Sequence, residues 1–159
     1  IAFEQMNQFY GRKLQPWFEP GKFIVSSAGF LLVKVNVIKE TPSIRFVGVD
    51  SGFNHLIRPM FYDSYHHIKN ISNPDGPVFH YNVVGNICET DTFATDRPLN
   101  EVREGDFLLF FNAGAYGFEM SSNFNSRLKP AEILIENGDP KLIRRRDEFN
   151  DLLRNIPGL

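Results

Sequence analysis

From residue 30 to residue 38 the chain reads Phe-Leu-Leu-Val-Lys-Val-Asn-Val-Ile, with Val33, Val35 and Val37 alternating against Lys34 and Asn36. Period two in a β-branched run sends alternate side chains to opposite faces of a strand. Similar apolar runs occur at 23–25, 44–49, 79–88, 107–111 and 131–136. Each is too short for a core helix. Turn formers lie between them: Ser26-Ser27-Ala28-Gly29, Asn73-Pro74-Asp75-Gly76, Glu104-Gly105-Asp106 and Asn137-Gly138-Asp139-Pro140. The abundance of Phe (16) and Pro (10) fits pleated surfaces with many strand ends. Helical spacing shows only at the ends. Phe3, Met6 and Tyr10 share a face with Gly11 as a stop, and Leu142, Phe149, Leu152 and Leu153 share another. The pattern predicts a mainly β protein, an antiparallel barrel or sandwich with terminal helices. A different rhythm, helix then a short strand over 14–18, precedes Glu19-Pro20-Gly21 and places a seam there.

At 159 residues the chain has room for one domain with a core and a scrap of another. A net charge of -2 leaves no basic stripe for nucleic acid or a membrane surface. A single Cys excludes an intrachain disulfide framework and a multi-cysteine zinc cage. No apolar run approaches the roughly 20 residues of a spanning helix. Ile1-Ala2-Phe3-Glu4 has the character of no signal peptide, so a reducing cytoplasm is the expected compartment. Beginning on Ile rather than Met, the chain is expected to be part of something longer.

Chemistry concentrates in a few places. Cys88-Glu89-Thr90 closes an apolar run. A lone cysteine reads as a small core hydrophobe or as a reactive thiol, and an anion next door suits a proton donor better than a thiolate nucleophile. Gly114-Ala115-Tyr116-Gly117, followed by three Ser, two Asn and an Arg over 121–127, reads as a tight turn or as a loop that brings a phenol to a ligand. Arg58, in Arg58-Pro59-Met60-Phe61-Tyr62, is a surface charge or an anion binder. His66 and His67 are adjacent, and with His80 and Cys88 they lack metal-ligand spacing, so no metal site is expected. Lys141, Arg144, Arg145 and Arg146, balanced by Asp147, Glu148 and Asp151, read as a solvated helix face.

Taken in order, Glu19-Pro20-Gly21-Lys22, Val49-Asp50-Ser51-Gly52, Arg58-Pro59-Met60-Phe61-Tyr62, Cys88-Glu89-Thr90 and Gly114-Ala115-Tyr116-Gly117 resemble the motifs of the fold-type III pyridoxal-phosphate decarboxylases. The resemblance runs from about residue 17 to about residue 150 and is closest to the branch that acts on diaminopimelate. RPMFYDSYH over 58–66 is similar to R-P-A-L-Y-D-A-Y-H, and GAYGFEMSSNFNSRLKPAE over 114–132 to G-A-Y-G-F-x-M-x-S-N-Y-N-S-R-x-R-P-A-E. The resemblance implies that residues 21–159 form a C-terminal β domain akin to that of alanine racemase. Residues 1–20 would be the end of the N-terminal β/α barrel, whose cofactor-binding lysine lies upstream, so the chain alone is expected to be inactive.

The family's roles carry over by position. Glu19 matches the carboxylate facing the pyridine nitrogen of pyridoxal phosphate. Lys22 stands where the family usually has Arg, for substrate carboxylate or cofactor phosphate, keeping the charge but losing the bidentate fork. Arg58, Tyr62 and Glu89 match substrate-binding positions, Cys88 the proton donor, and Tyr116 a residue touching cofactor and substrate. Cys88 and Glu89 reach the other subunit's site in the family, which implies a homodimer with shared active sites. Having Arg58 and Glu89 together favours a substrate with two amino-acid ends, meso-diaminopimelate, decarboxylated to lysine. The alternatives are a relative acting on carboxynorspermidine, ornithine or an antibiotic precursor, and a catalytically silent β module that binds or regulates a partner.

Overall fold

The computed structural model describes residues 2–158, so Ile1 and Leu159 lie outside it. Helix α1 (Ala2–Tyr10) follows the expected apolar spacing, and Gly11, at φ 61°, ends it. The strand expected over 14–18 does not form. No second strand lies beside it, and Trp17 remains 85% exposed. Residues 23–25, expected in a strand, fall instead in helix α2 (Gly21–Val25), where the Ile24 amide donates to the Pro20 carbonyl at 3.3 Å.

The body of the chain is sheet: β1 (Leu31–Glu40), β2 (Arg45–Val49), β3 (Ile68–Asn70), β4 (Val78–Val84), β5 (Thr92–Asn100) and β6 (Phe107–Phe110), with a short helix α3 (Arg58–Tyr62) before β3. Their order is β3-β6-β1-β2-β4-β5. Every neighbouring pair is antiparallel except β2 and β4, which run parallel because residues 50–77 carry the chain back across the fold. The two edges approach each other. Arg97 of β5 donates to the His66 carbonyl just before β3 at 2.7 Å, so the sheet is a nearly closed barrel. Inside are Val33, Val35, Val47, Val49, Val83, Leu108 and Phe110. Among the described residues no helix is long and apolar enough to cross a membrane.

Two departures from the sequence pattern have local causes. Val33 and Val35 are buried as the alternation requires, but Val37 is 50% exposed, because the β1–β2 register slips between Val35 and Val37. Strand β5 is hidden in the sequence by Asp96, Arg97 and Pro98. Pro98 is tolerated because β5 is an edge strand, and Asp96, at φ 49°, sits in an irregular stretch of its ladder.

A separate hairpin, β7 (Glu132–Glu136) and β8 (Asp139–Arg144), turns on Asn137 and Gly138, both at positive φ. The terminal helix is therefore shorter than expected. It is α4 (Phe149–Leu153) alone, and Leu142 lies on β8, where its backbone pairs with Ile133. The basic cluster is not a helix face either. Arg144 pairs with Glu132 across the hairpin, and Arg145 holds both carboxylate oxygens of Asp151 at 2.7 and 2.8 Å. Helices α2 and α3 also show that helical turns are not confined to the ends.

At the end of β3 the fully buried Asn70 donates to the Glu101 carbonyl (2.7 Å) and to Asp106 (2.9 Å), while its own oxygen accepts the amides of Ser72 and Asn73. Removing it takes a hydrogen-bond partner from the buried Asp106 carboxylate and from three partly buried backbone groups. Asn70→Ala is expected to lower the unfolding free energy by about 1–3 kcal/mol. Urea denaturation checks this through a lower midpoint at unchanged slope.

Candidate active site

The site begins with two glycines. Residues 26–29, which follow α2, lie against the loop after β6. The Ala113 amide donates to the Gly29 carbonyl at 2.8 Å, and the Gly114 amide to the Ser26 carbonyl at 3.0 Å. A Cβ on Gly114 would sit 2.1 Å from the Val25 carbonyl oxygen, and one on Gly29 2.4 Å from the Gly114 Cα. Only bare backbone fits on either side. This approach opens a cleft of about 610 Å³ between the two segments, lined by Glu19, Lys22, Phe23, Ser26, Asn112 and Tyr116 among others. Glu19, Lys22 and Tyr116, far apart in sequence, thus share one wall system. Tyr116 is held at φ 57°, an uncommon conformation for a non-glycine residue and one that clusters at functional sites.

The first turn of α3 adds Arg58, only 7% exposed. Its guanidinium lies 5.4 Å from the ring centroid of Tyr62 and 5.6 Å from that of Tyr116, within cation–π reach of both. It donates to the Ser64 hydroxyl at 3.1 Å, and among the described residues it has no carboxylate partner. Tyr116 therefore joins the cleft to the Arg58–Tyr62 pair. His66 is buried close by, with Nδ1 2.8 Å from the Phe111 carbonyl and Nε2 buried without a partner. Burial lowers its pKa most, the Phe111 carbonyl opposes that, and the positive charges of Arg58 and Lys22 add to the lowering. His67, next to it, is exposed.

Cys88 and Glu89 are not among the residues that line the cleft. Strand β4 stops at Val84, so Cys88 does not end a strand but stands exposed on the 85–91 loop. Its thiol donates to Glu89 Oε2 at 3.6 Å. Neither residue makes a hydrogen bond to the Arg58–Tyr116 cluster among the described residues. The structure thus gathers Glu19, Lys22, Arg58, Tyr62 and Tyr116, and leaves Cys88 and Glu89 on a second, outward-facing loop.

Under that loop sits a group the sequence motifs did not single out. Asp91 is buried and accepts the Phe53 and Ile87 amides at 2.6 and 2.9 Å. Burial raises its pKa, the two amides oppose this, and Glu89 adds a smaller upward push. Ser51 lies in one of the ordered motifs, but its partner His55 does not. His55 Nε2 donates to the Leu128 carbonyl at 3.1 Å, so Nδ1 accepts the Ser51 hydroxyl at 3.0 Å. Gly52 and Gly85 leave room for the Asp91 carboxylate, a nearness that the structure alone reveals.

The sequence pattern described as "Pyridoxal-dependent decarboxylase, C-terminal sheet domain" matches residues 22–114. The chain belongs to this family of pyridoxal-dependent decarboxylases. A diaminopimelate decarboxylase of Methanothermobacter thermautotrophicus is 52% identical over 143 residues, covering 87% of this chain and 33% of that protein. The diaminopimelate decarboxylase of Escherichia coli K12 is 41% identical over 166 residues, covering 96% of this chain and 39% of that protein. Among solved structures, a diaminopimelate decarboxylase of M. jannaschii in complex with L-lysine superposes with a TM-score of 0.82 at 38% identity, over 96% of this chain and 36% of that one. The chain thus spans about a third of the length of the proteins it matches. The family implies pyridoxal phosphate in the full-length enzymes, and the cleft's donor set fits that group. A carboxylate, an ammonium, two serine hydroxyls and a phenol surround the apolar Pro20 and Phe23.

Burial lowers the pKa values of both His55 and His66 below the ordinary imidazole value. On acidification the unfolded chain takes up these protons first. Stability is therefore full above the unfolded value and falls as pH drops below it, levelling at the folded values. Urea unfolding at about pH 7.5 and about pH 5.5 is expected to show this fall, and His66→Asn is expected to reduce it.

Proposed function

We propose that this chain is the C-terminal domain of a diaminopimelate decarboxylase, with residues 1–20 ending the cofactor-binding barrel and residues 21–159 forming the β domain. The full enzyme would convert meso-2,6-diaminopimelate to L-lysine and CO2 in the cytoplasm. The observation that carries this is Arg58, a buried cation between two phenol rings that no carboxylate of the described residues neutralises. An unpaired buried charge is costly, and a ligand carboxylate relieves that cost. A substrate with a second amino-acid end supplies one, and its distal ammonium needs an anion, the role assigned to Glu89.

When bound, pyridoxal phosphate supplies an electron sink for the carbon that loses CO2. Glu19 holds a proton on the ring nitrogen. Lys22 and Tyr116 orient the ligand in the cleft, Lys22 as a point charge where a forked arginine is usual. Tyr62 and Tyr116 keep the Arg58 guanidinium in place. Cys88 holds at Sγ the proton that replaces CO2 on the substrate carbon. Cys88 and Glu89 stand on a loop apart from their own cleft, which supports their completing the cleft of a second copy, in a homodimer with shared sites.

The test uses the full-length enzyme. Arg58→Ala is expected to lower kcat/KM for diaminopimelate by about 10- to 100-fold, and to do far less to ornithine, a poor substrate without a distal carboxylate. Equal losses on both would place Arg58 in the fold or against the cofactor and would remove the substrate assignment. The 159-residue chain by itself, mixed with pyridoxal phosphate, is expected to release no CO2 from diaminopimelate, checked with labelled substrate.

A further inference from the structure

The 85–91 loop is exposed at Cys88 and Glu89, yet its backbone is tied down from inside. Asp91, 6% exposed, accepts the Phe53 amide on Oδ1 at 2.6 Å and the Ile87 amide on Oδ2 at 2.9 Å. Its own carbonyl accepts the Gly85 amide at 2.7 Å, and the Asn86 amide donates to the Ser51 carbonyl at 3.0 Å. Arg127 closes the outer side by donating to the Asn86 carbonyl at 3.2 Å. The Ser51–His55–Leu128 chain fixes the segment that supplies the Phe53 amide.

Two glycines keep space for this carboxylate. A Cβ on Gly85 would lie 2.0 Å from Asp91 Oδ2, and one on Gly52 2.8 Å from the same oxygen. Neither glycine has a positive φ, so room, not backbone freedom, is what they provide. Each carboxylate oxygen takes one amide from a different segment, and one of those amides belongs to the residue immediately before Cys88.

We propose that Asp91 is a positioning residue for Cys88 and Glu89, its carboxylate joining the Phe53 and Ile87 amides so that the 85–91 loop presents thiol and carboxylate in one fixed place. This rests on the roles proposed above for Cys88 and Glu89. Asparagine at this position accepts only one of the two amides and turns a donor toward the other. Alanine at Gly85 leaves the charge intact but crowds the carboxylate out of its seat.

The experiment uses the full-length enzyme with Asp91→Asn and, separately, Gly85→Ala. Hydrogen exchange read by mass spectrometry is expected to quicken by about tenfold or more at the Phe53 and Ile87 amides, with Val47 and Val83 in the core strands unchanged. Each variant is also expected to lower kcat/KM for diaminopimelate by about tenfold or more. On a Cys88→Ala, Glu89→Gln background the same change is expected to cost nothing further, because the groups being positioned are already gone. Protected Phe53 and Ile87 amides in both variants would overturn the proposal. So would an equal loss of kcat/KM in both backgrounds, which marks a purely structural role. If Asp91→Asn does not fold, Gly85→Ala carries the same comparison. Failure of the underlying roles shows differently: Cys88→Ala would then leave kcat unchanged, whatever the exchange data say.

Discussion

The contact between Gly29 and Gly114 decides where the cleft of this domain can be. Two backbones meet there with no side chain between them, and the cleft is the space left beside the contact. Because Ser26 and Gly29 accept the Gly114 and Ala113 amides, the short helix carrying Lys22 and the loop carrying Tyr116 move as one piece. Tyr116 then reaches the Arg58 guanidinium, so a packing constraint on one side of the barrel also sets the electrostatics of α3. A methyl group at either glycine would force the two walls apart, and rearrangements of this kind cost about 1–3 kcal/mol.

The site is assembled from two kinds of support. Arg58 is buried beside aromatic faces, where a guanidinium keeps its charge and loses much of its water. Cys88 and Glu89 are exposed side chains on a backbone held from beneath by a buried carboxylate. One arrangement holds a cation between aromatic rings. The other makes a rigid platform from which polar groups project.

How much of this was legible depended on whether a residue's role is local. The alternation in β1 as far as Val35, the Gly11 helix stop and the Asn137-Gly138 turn are local, and they stand where the pattern puts them. Strand β5 was illegible because Pro98 and its charged neighbours are acceptable only on an edge, and edges are set by topology. The strand expected over 14–18 failed for the complementary reason: its composition suits a strand, but no neighbour offers a ladder. Leu142 has helical spacing to Phe149, yet the turn at Asn137-Gly138 draws it into a hairpin. For the site, order of motifs led to Glu19, Lys22, Arg58, Tyr62, Cys88, Glu89 and Tyr116. Asp91 escaped, since its meaning depends on the empty space beside Gly52 and Gly85, and a sequence does not show space.

The parallel alignment of β2 and β4 bears on how the domain comes together in time. The hairpin β7–β8 closes over a two-residue turn, and the segment between β4 and β5 is short. The pairing of Val47 with Val83 instead waits for the whole of residues 50–77 to be carried back across the fold. The entropy of that loop is lost before a single ladder bond repays it. The seam between β2 and β4 is thus costly to close, and the pairing of β1 with β6, which spans residues 41–106, is costlier still. Until the seam between β2 and β4 forms, β2 keeps an open edge, the surface on which a nascent chain is most exposed to mispairing with its neighbours.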